Sequence, residues 1–340
     1  MERMQEYYFA QMDKPCQAVY RDMLTGLTQL GPSFSVPRLE TRQLSEVLFQ
    51  LRLDHPEIFY VAGCSFRVHP QASHVEVVPE YLFPKGKIRE HQGAMQARLE
   101  KLCRPVQGKS ALEQEAYIHD FICTGVRYDK LKKPYSHEII GPLGHGVGVC
   151  EGMAKAVKAL CDRLGVWCIV VISQAAPERG VRYRHAWNVV QLGGSYYHLD
   201  ATFDRTLSGE GAPRYDYFNL DDRQIFRDHE ALLYPAPACA DGTQGYYRVH
   251  KCSFTRLEEV EKRAVQAVRK GKTLLFQWRG GPLTQDVQTQ LLTLLEQSAA
   301  QKGRYIRVSL NRPQAVFQVD FPQQPPQAAC TDQQADAEAE

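Results

Sequence analysis

Residues 144–161 read GHGVGVCEGMAKAVKALC. A cysteine stands behind a glycine-rich approach and ahead of a helical pattern. Met153, Val157, Leu160, Cys161 and Leu164 recur at steps of three and four, the period of one helix face. Gly165 is placed to end that helix. Cys150 therefore falls at a helix start, where unpaired N–H groups and the helix dipole favour an anion. Gly146 and Gly148 allow unusual backbone angles and close approach by a substrate. The same free N–H groups can hold a developing oxyanion.

A cysteine nucleophile also needs a base for its proton and a group to orient that base. The second decisive stretch, HAWNVVQL–GG–SYYHLDATF over residues 185–203, supplies both. Two strand-like runs joined by Gly-Gly read as a hairpin. With Gly193 and Gly194 as the turn, Leu192 faces Ser195, Trp187 faces Asp200 and His185 faces Thr202. Asp200 is then a diagonal, same-face neighbour of His185, roughly 7–8 Å away between backbone positions. A carboxylate spans that distance to an imidazole and fixes its tautomer. A one-residue slip would put Asp200 on the opposite face.

The order Cys150, His185, Asp200 matches a thiol–imidazole–carboxylate triad. The stretches GVCEGMAKAVKALCDRLGV, HAWNVV and YYHLDATFD resemble the transglutaminase-like superfamily of papain-like fold. The resemblance implies Cys150 as nucleophile, His185 as base and acid, and Asp200 as orienting carboxylate. Upstream, YIHDFICTGVRYDK resembles the lead-in helix and Tyr-Asp segment of bacterial members, and DHPEIFYV their N-terminal extension. The resemblance is dense from about Ser110 to Phe218. Tyr128 and His137 are upstream candidates for a side-chain oxyanion donor, and Trp187 for lining the groove.

The implied fold class is α+β. A papain-like, transglutaminase-like core at 106–222 carries a cysteine helix packed on an antiparallel sheet bearing His and Asp. An N-terminal α+β extension precedes it at 1–105. In that extension RQLSEVLFQLRLD reads as a helix broken at His55–Pro56. Residues 58–68 and 74–83 read as strands. Ser110 is placed to cap the next helix, with Gln114 and Glu115 in its first turn. A small C-terminal α/β unit at 223–321 alternates helix and strand, and a disordered tail covers 322–340. Lys155, Lys158 and Arg163 read as a solvated helix face, and Cys161 and Cys168 as core thiols.

Bulk properties narrow the function classes. The chain has 340 residues, 41 basic and 39 acidic, for a formal net charge of +2. That balance gives no electrostatic argument for nucleic acid. No apolar run approaches the roughly 20 residues of a membrane span. The N-terminus shows no apolar h-region, so the expected location is cytoplasmic. Ten scattered cysteines without a C-x-x-C pair read as reduced thiols. No cofactor or metal is expected, and no calcium loop of the D-x-D-x-D-G type occurs.

The expected activity is cysteine-dependent acyl transfer on amide bonds of peptides or proteins through a thioester, with hydrolysis as peptidase or amidase the favoured outcome. The alternatives are a protein-crosslinking transglutaminase and a non-catalytic binding or scaffold protein. The expected partner is a peptide or protein substrate, with no nucleic acid and no membrane; the sequence does not fix an oligomeric state.

Overall fold

The computed structural model describes residues 6–69, 71–209 and 211–324. The expected disordered tail, 322–340, lies outside the described residues from 325 onward. Over the described residues the chain forms two compact units. One comprises Met1–Ala175, Tyr183–Arg214 and Glu230–Ala240; the other comprises Ala176–Arg182, Tyr215–His229 and Asp241–Glu340. The N-terminal segment and the Cys150-bearing segment thus share a unit.

The first unit opens with two helices that the sequence-based reading did not anticipate, α1 (Tyr7–Gln11) and α2 (Lys14–Gln29). Asp13 caps α2 by accepting from the Cys16 amide at 2.9 Å. Its buried face carries Val19, Tyr20, Met23 and Leu27, spaced by three and four. Strand β1 (Phe34–Pro37) follows, then α3 (Thr41–Asp54), which stops before His55–Pro56 as expected. Strands β2 (Val61–Val68) and β3 (His74–Tyr81) pair antiparallel, and β1 pairs with the other edge of β3. Helix α4 (Lys85–Cys103) leads to α5 (Ala111–Gly125). Ser110 caps α5, but its reciprocal partner is Glu113 at the third helical position, not Gln114 or Glu115.

Between α5 and the cysteine helix the chain is irregular but ordered by hydrogen bonds. Strand β4 (Arg127–Tyr128) pairs in parallel with β5 (Val147–Gly148). The buried Asp129 carboxylate accepts from the amides of Leu131 and Lys133, both at 3.1 Å, and from the Ser136 hydroxyl. A 3₁₀ turn covers Pro134–His137 and a π turn covers Gly141–His145. The Val149 amide donates to the Ser136 carbonyl at 3.0 Å, so this loop fixes the chain entering the next helix.

That helix, α6 (Cys150–Leu164), is the centre of the unit: every residue from Gly152 to Cys161 is buried. It packs on β6 (Cys168–Ile172) and β7 (Ala186–Leu192), and on α4 and α5. Asn188 of β7 ties the layers, its amide donating to the Ala154 carbonyl at 2.9 Å and the Ile169 carbonyl at 3.2 Å. Strand β8 (Ser195–Leu199) pairs with β7 in the expected register, from Leu192 opposite Ser195 to Asn188 opposite Leu199. Gly193 and Gly194 take φ of 56° and 88°, the double left-handed turn that only glycine adopts easily.

Two expectations fail here. Alternation suggested a strand running through Phe203, but β8 ends at Leu199 and α7 (Ala201–Ser208) begins. Asp200 caps α7, accepting from the Thr202 and Phe203 amides at 2.9 and 3.0 Å, and this local cap overrides the strand pattern. Lys155 and Lys158 are not solvated: they are 0% and 6% exposed. A helix covered on all sides buries its polar face too, and each lysine then needs an anion.

The second unit carries β9 (Phe218–Leu220), α8 (Asp222–Ile225), α9 (Tyr246–Val249), β10 (Ser253–Phe254) and α10 (Leu257–Lys270). Strand β11 (Leu274–Trp278), α11 (Gln285–Ala300), β12 (Arg307–Asn311) and β13 (Val316–Asp320) complete it. Its main sheet has the order β10-β11-β13-β12. Val260, Ala264, Leu291 and Leu295 of the two long helices pack on Phe276, Phe317 and Val319 of the sheet.

The start of α6 depends on Gly152. A Cβ there would lie 2.1 Å from the Ser136 carbonyl oxygen, a backbone atom that cannot rotate away. Gly152→Ala is expected to destabilise the unit by about 3 kcal/mol, the upper end of overpacking costs. Urea unfolding measures this, and a loss under about 0.5 kcal/mol would contradict the packing described.

Candidate active site

Cys150 is the first residue of α6, with Val149 as its cap. It is partly exposed, at the end of a helix whose residues Gly152 to Cys161 are all buried. His185 lies one residue before β7. Its position is set by continuation of the β6–β7 ladder: the His185 carbonyl accepts from the Ser173 amide at 2.8 Å, and the His185 amide donates to the Ser173 hydroxyl at 2.9 Å. The Cys150 sulfur is near enough to contribute to raising the basicity of this ring.

Asp200 completes the array. Its Oδ2 lies 2.6 Å from Nε2 of His185. Its Oδ1 is held by the first amides of α7. The structure therefore brings Cys150, His185 and Asp200 together. Asp200 does so as a helix cap, not as the diagonal strand neighbour read from the sequence.

Burial lowers the proton affinity of His185. The negative charge of Asp200, its hydrogen bond and the Cys150 thiol outweigh this, and the pKa rises to about 10. The imidazole is thus held as a cation at neutral pH, the form that accompanies a thiolate. The carboxylate is fully buried while the histidine side chain keeps 21% of its surface, so part of the ring is accessible to a reactant. Trp187 stacks on the ring at 5.7 Å between centroids, and Phe203 packs at 4.8 Å. Trp187 is fully buried, its indole N–H donating to Nδ1 of His198 at 3.0 Å. It supports the histidine from behind instead of lining an open groove.

Of the two upstream candidates, Tyr128 pairs beside Gly148, two residues before Cys150. Burial, then the charge of Cys150, push its phenol up to about 12, so it stays a neutral O–H donor. His137 is engaged elsewhere, its Nδ1 3.4 Å from Glu151.

The sequence-based reading missed a buried charge network beside the nucleophile. Lys155 pairs with Glu138 at 2.8 Å and with Glu151 at 2.7 Å, and Arg52 of α3 pairs with Glu138. Burial alone would raise the Glu151 carboxyl, but Lys155, the His137 bond and Arg52 hold it well below the usual carboxylate range. Arg52, His137, Glu138 and Glu151 also line a cavity of about 230 Å³ with Phe49 and Leu82. A second missed pair anchors α7. His119 of α5 meets Asp204 at 3.0 Å, both wholly buried. The one sequence signal for it is a histidine inside the apolar stripe of Ile118 and Ile122.

Residues 100–201 match the family model described as transglutaminase-like superfamily, so this segment is a transglutaminase-like domain. No curated protein matches the chain. Among solved structures, the chain is similar to a crystal structure of a TGase, at 12% identity and a TM-score of 0.29, covering 50% of each chain. It is also similar to a "putative cysteine protease" from Cytophaga hutchinsonii, at 16% identity and a TM-score of 0.27, covering 41% of this chain and 61% of that one. The chain thus spans from half to about three fifths of the length of these structures.

Because the folded pKa of His185 lies above its ordinary value of 6.5, the ion pair stabilises the fold fully below about pH 6.5. That contribution fades as pH rises through about 10. The stability gap between wild type and His185→Asn is therefore expected to shrink steadily between these limits. Urea unfolding at a series of pH values measures it, and a gap that stays constant or widens with pH would contradict the pairing.

Proposed function

We propose that this chain is a cysteine-dependent acyl-transfer enzyme that hydrolyses amide bonds of peptides or proteins. The observation that carries this reading is the buried Asp200 carboxylate, 2.6 Å from a half-open His185 whose basicity is raised by that carboxylate and by the sulfur at the start of α6. A purely structural ion pair has no need of a sulfur at its exposed end. The transglutaminase-like match over 100–201 supports the same reading.

The steps follow from the groups present. The Cys150 thiolate attacks the amide carbonyl, and the oxyanion that forms faces the free N–H groups of the first turn of α6. The neutral Tyr128 phenol is the side-chain donor on that side. His185 gives its proton to the leaving amine as the C–N bond breaks, leaving a thioester. Water then attacks the thioester, His185 takes its proton, and the carboxylic acid departs. The thiolate and imidazolium are restored. Asp200 does not exchange protons; it holds the ring and stabilises its charge.

Two measurements test this. Alkylation by iodoacetamide near pH 7 should show one fast cysteine, lost in Cys150→Ala and slowed at least tenfold in Asp200→Asn, with mass spectrometry assigning the adduct. Uniformly slow thiols would sink the reading. The acyl acceptor is settled by incubation in ¹⁸O water with a large excess of a primary amine. Hydrolysis predicts ¹⁸O in the released acid, whereas dominant amide formation would replace it with cross-linking.

A further inference from the structure

The segment leaving β4 crosses from the cysteine to the histidine. Tyr128 pairs beside Gly148, two residues before Cys150. Four residues on, Lys132 sets its ammonium 4.4 Å from the ring centre of Tyr183, two residues before His185. Lys132 does so at φ of 48°, a left-handed conformation costly for a side chain of this kind. The loop is held in that shape by Asp129, whose carboxylate takes the amides of Leu131 and Lys133 and the Ser136 hydroxyl. One rigid segment therefore rims the entrance to the thiol and the imidazole.

The charge on this rim has one sign. Arg127, Lys130, Lys132 and Lys133 are exposed, as is Arg184 next to the histidine, while the acid among them, Asp129, is buried and spent on the loop. The acids of the adjoining network, Glu138 and Glu151, are matched by Arg52 and Lys155. Across the whole chain the formal charge is only +2, so four exposed bases within residues 127–133, with Arg184 beside the histidine, are a local concentration. Tyr183, 62% exposed, and Leu131, 75% exposed, add apolar surface between the cations.

We propose that this rim selects amide substrates whose chain next to the scissile bond is acidic, with Asp or Glu side chains meeting Lys130, Lys132, Lys133 and Arg184. The inference rests on the hydrolase reading above. A peptide is favoured over a nucleic acid because the rim borders a thiol that acts on a carbonyl, and because peptide backbone and apolar atoms fit beside Tyr183 and Leu131. Exposed charges of this kind act within about a Debye length, so the selection is expected to be salt-sensitive.

The test compares acetyl-Asp-Asp-Gly and acetyl-Lys-Lys-Gly chloromethyl ketones as inactivators of the full chain, each rate divided by the iodoacetamide rate of the same protein. The expected wild-type preference for the acidic probe is at least tenfold at low salt, falling severalfold in 0.5 M NaCl. In the triple variant Lys130→Glu, Lys132→Glu, Lys133→Glu it should fall to about one or reverse. If that variant does not fold, Lys130→Glu alone should cut the preference at least twofold. A wild-type ratio near one, a ratio indifferent to salt, or one retained in the variants overturns the proposal while leaving the hydrolase reading intact. Absence of any fast iodoacetamide reaction would remove the hydrolase reading itself. Protection of Cys150 by an oligonucleotide as strong as that by poly-glutamate at equal charge would also overturn the peptide assignment.

Discussion

The site depends on one carboxylate doing two things at once. Asp200 places one oxygen on the amides that open α7 and the other on the imidazole of His185. The first bond set turns the chain out of β8, and the second holds the ring against the thiol. Neither survives alone, because a carboxylate 1% exposed needs all its partners to offset lost hydration. The orientation of His185 is therefore inherited from the docking of α7. That docking is itself polar: His119 binds Asp204 from α5, and Arg205 donates to the Val126 carbonyl at 2.7 Å. Three elements far apart in the chain thus converge on a single ring.

The nucleophile is positioned by the opposite logic, burial instead of hydrogen bonding. Helix α6 is enclosed along ten residues, Gly152 to Cys161, and its two ends reach solvent. Enclosure brings Lys155 and Lys158 inside with it. Lys155 is matched by Glu138 and Glu151, and Lys158 by Asp162 at 3.0 Å and the Cys168 carbonyl. Buried pairs of this kind give little net stability against apolar replacements, but breaking one leaves an uncompensated charge. They define where α6 sits relative to α3 and to the turn at Ser136. Gly152 permits that contact, and the sulfur lies two residues away.

How much of this could be read in the sequence follows from how local each signal is. The hairpin register was legible because Gly193–Gly194 is a two-residue turn that fixes every later pairing. The cysteine at a helix start was legible from periodicity and glycines. The end of β8 was not, since His198, Leu199, Asp200 and Ala201 continue a plausible alternation. What breaks it is the cap that Asp200 makes with amides two and three residues on. Lys155 and Lys158 were misread for a deeper reason. A helical period reports which face is most apolar, not whether the other face is also covered, and one partner of Lys155, Glu138, comes from a loop with no pattern. His119 and Asp204 are 85 residues apart, and no local rule links them.

The asymmetry of exposure across the array bears on what it can do. From Asp200 to His185 to Cys150 the groups run from fully buried to partly open. A proton on His185 is held from the buried side, where the low dielectric strengthens the attraction of Asp200. It is delivered on the open side, where an incoming amide displaces water. If both sides were open, solvent would screen the carboxylate and the ring would titrate near its ordinary value. If both were closed, the ion pair would be inert packing, as it is for His119 and Asp204, which share the same chemistry with a thiol, Cys123, 3.5 Å away. The two histidines differ in one respect that matters: only His185 faces a surface a substrate can reach.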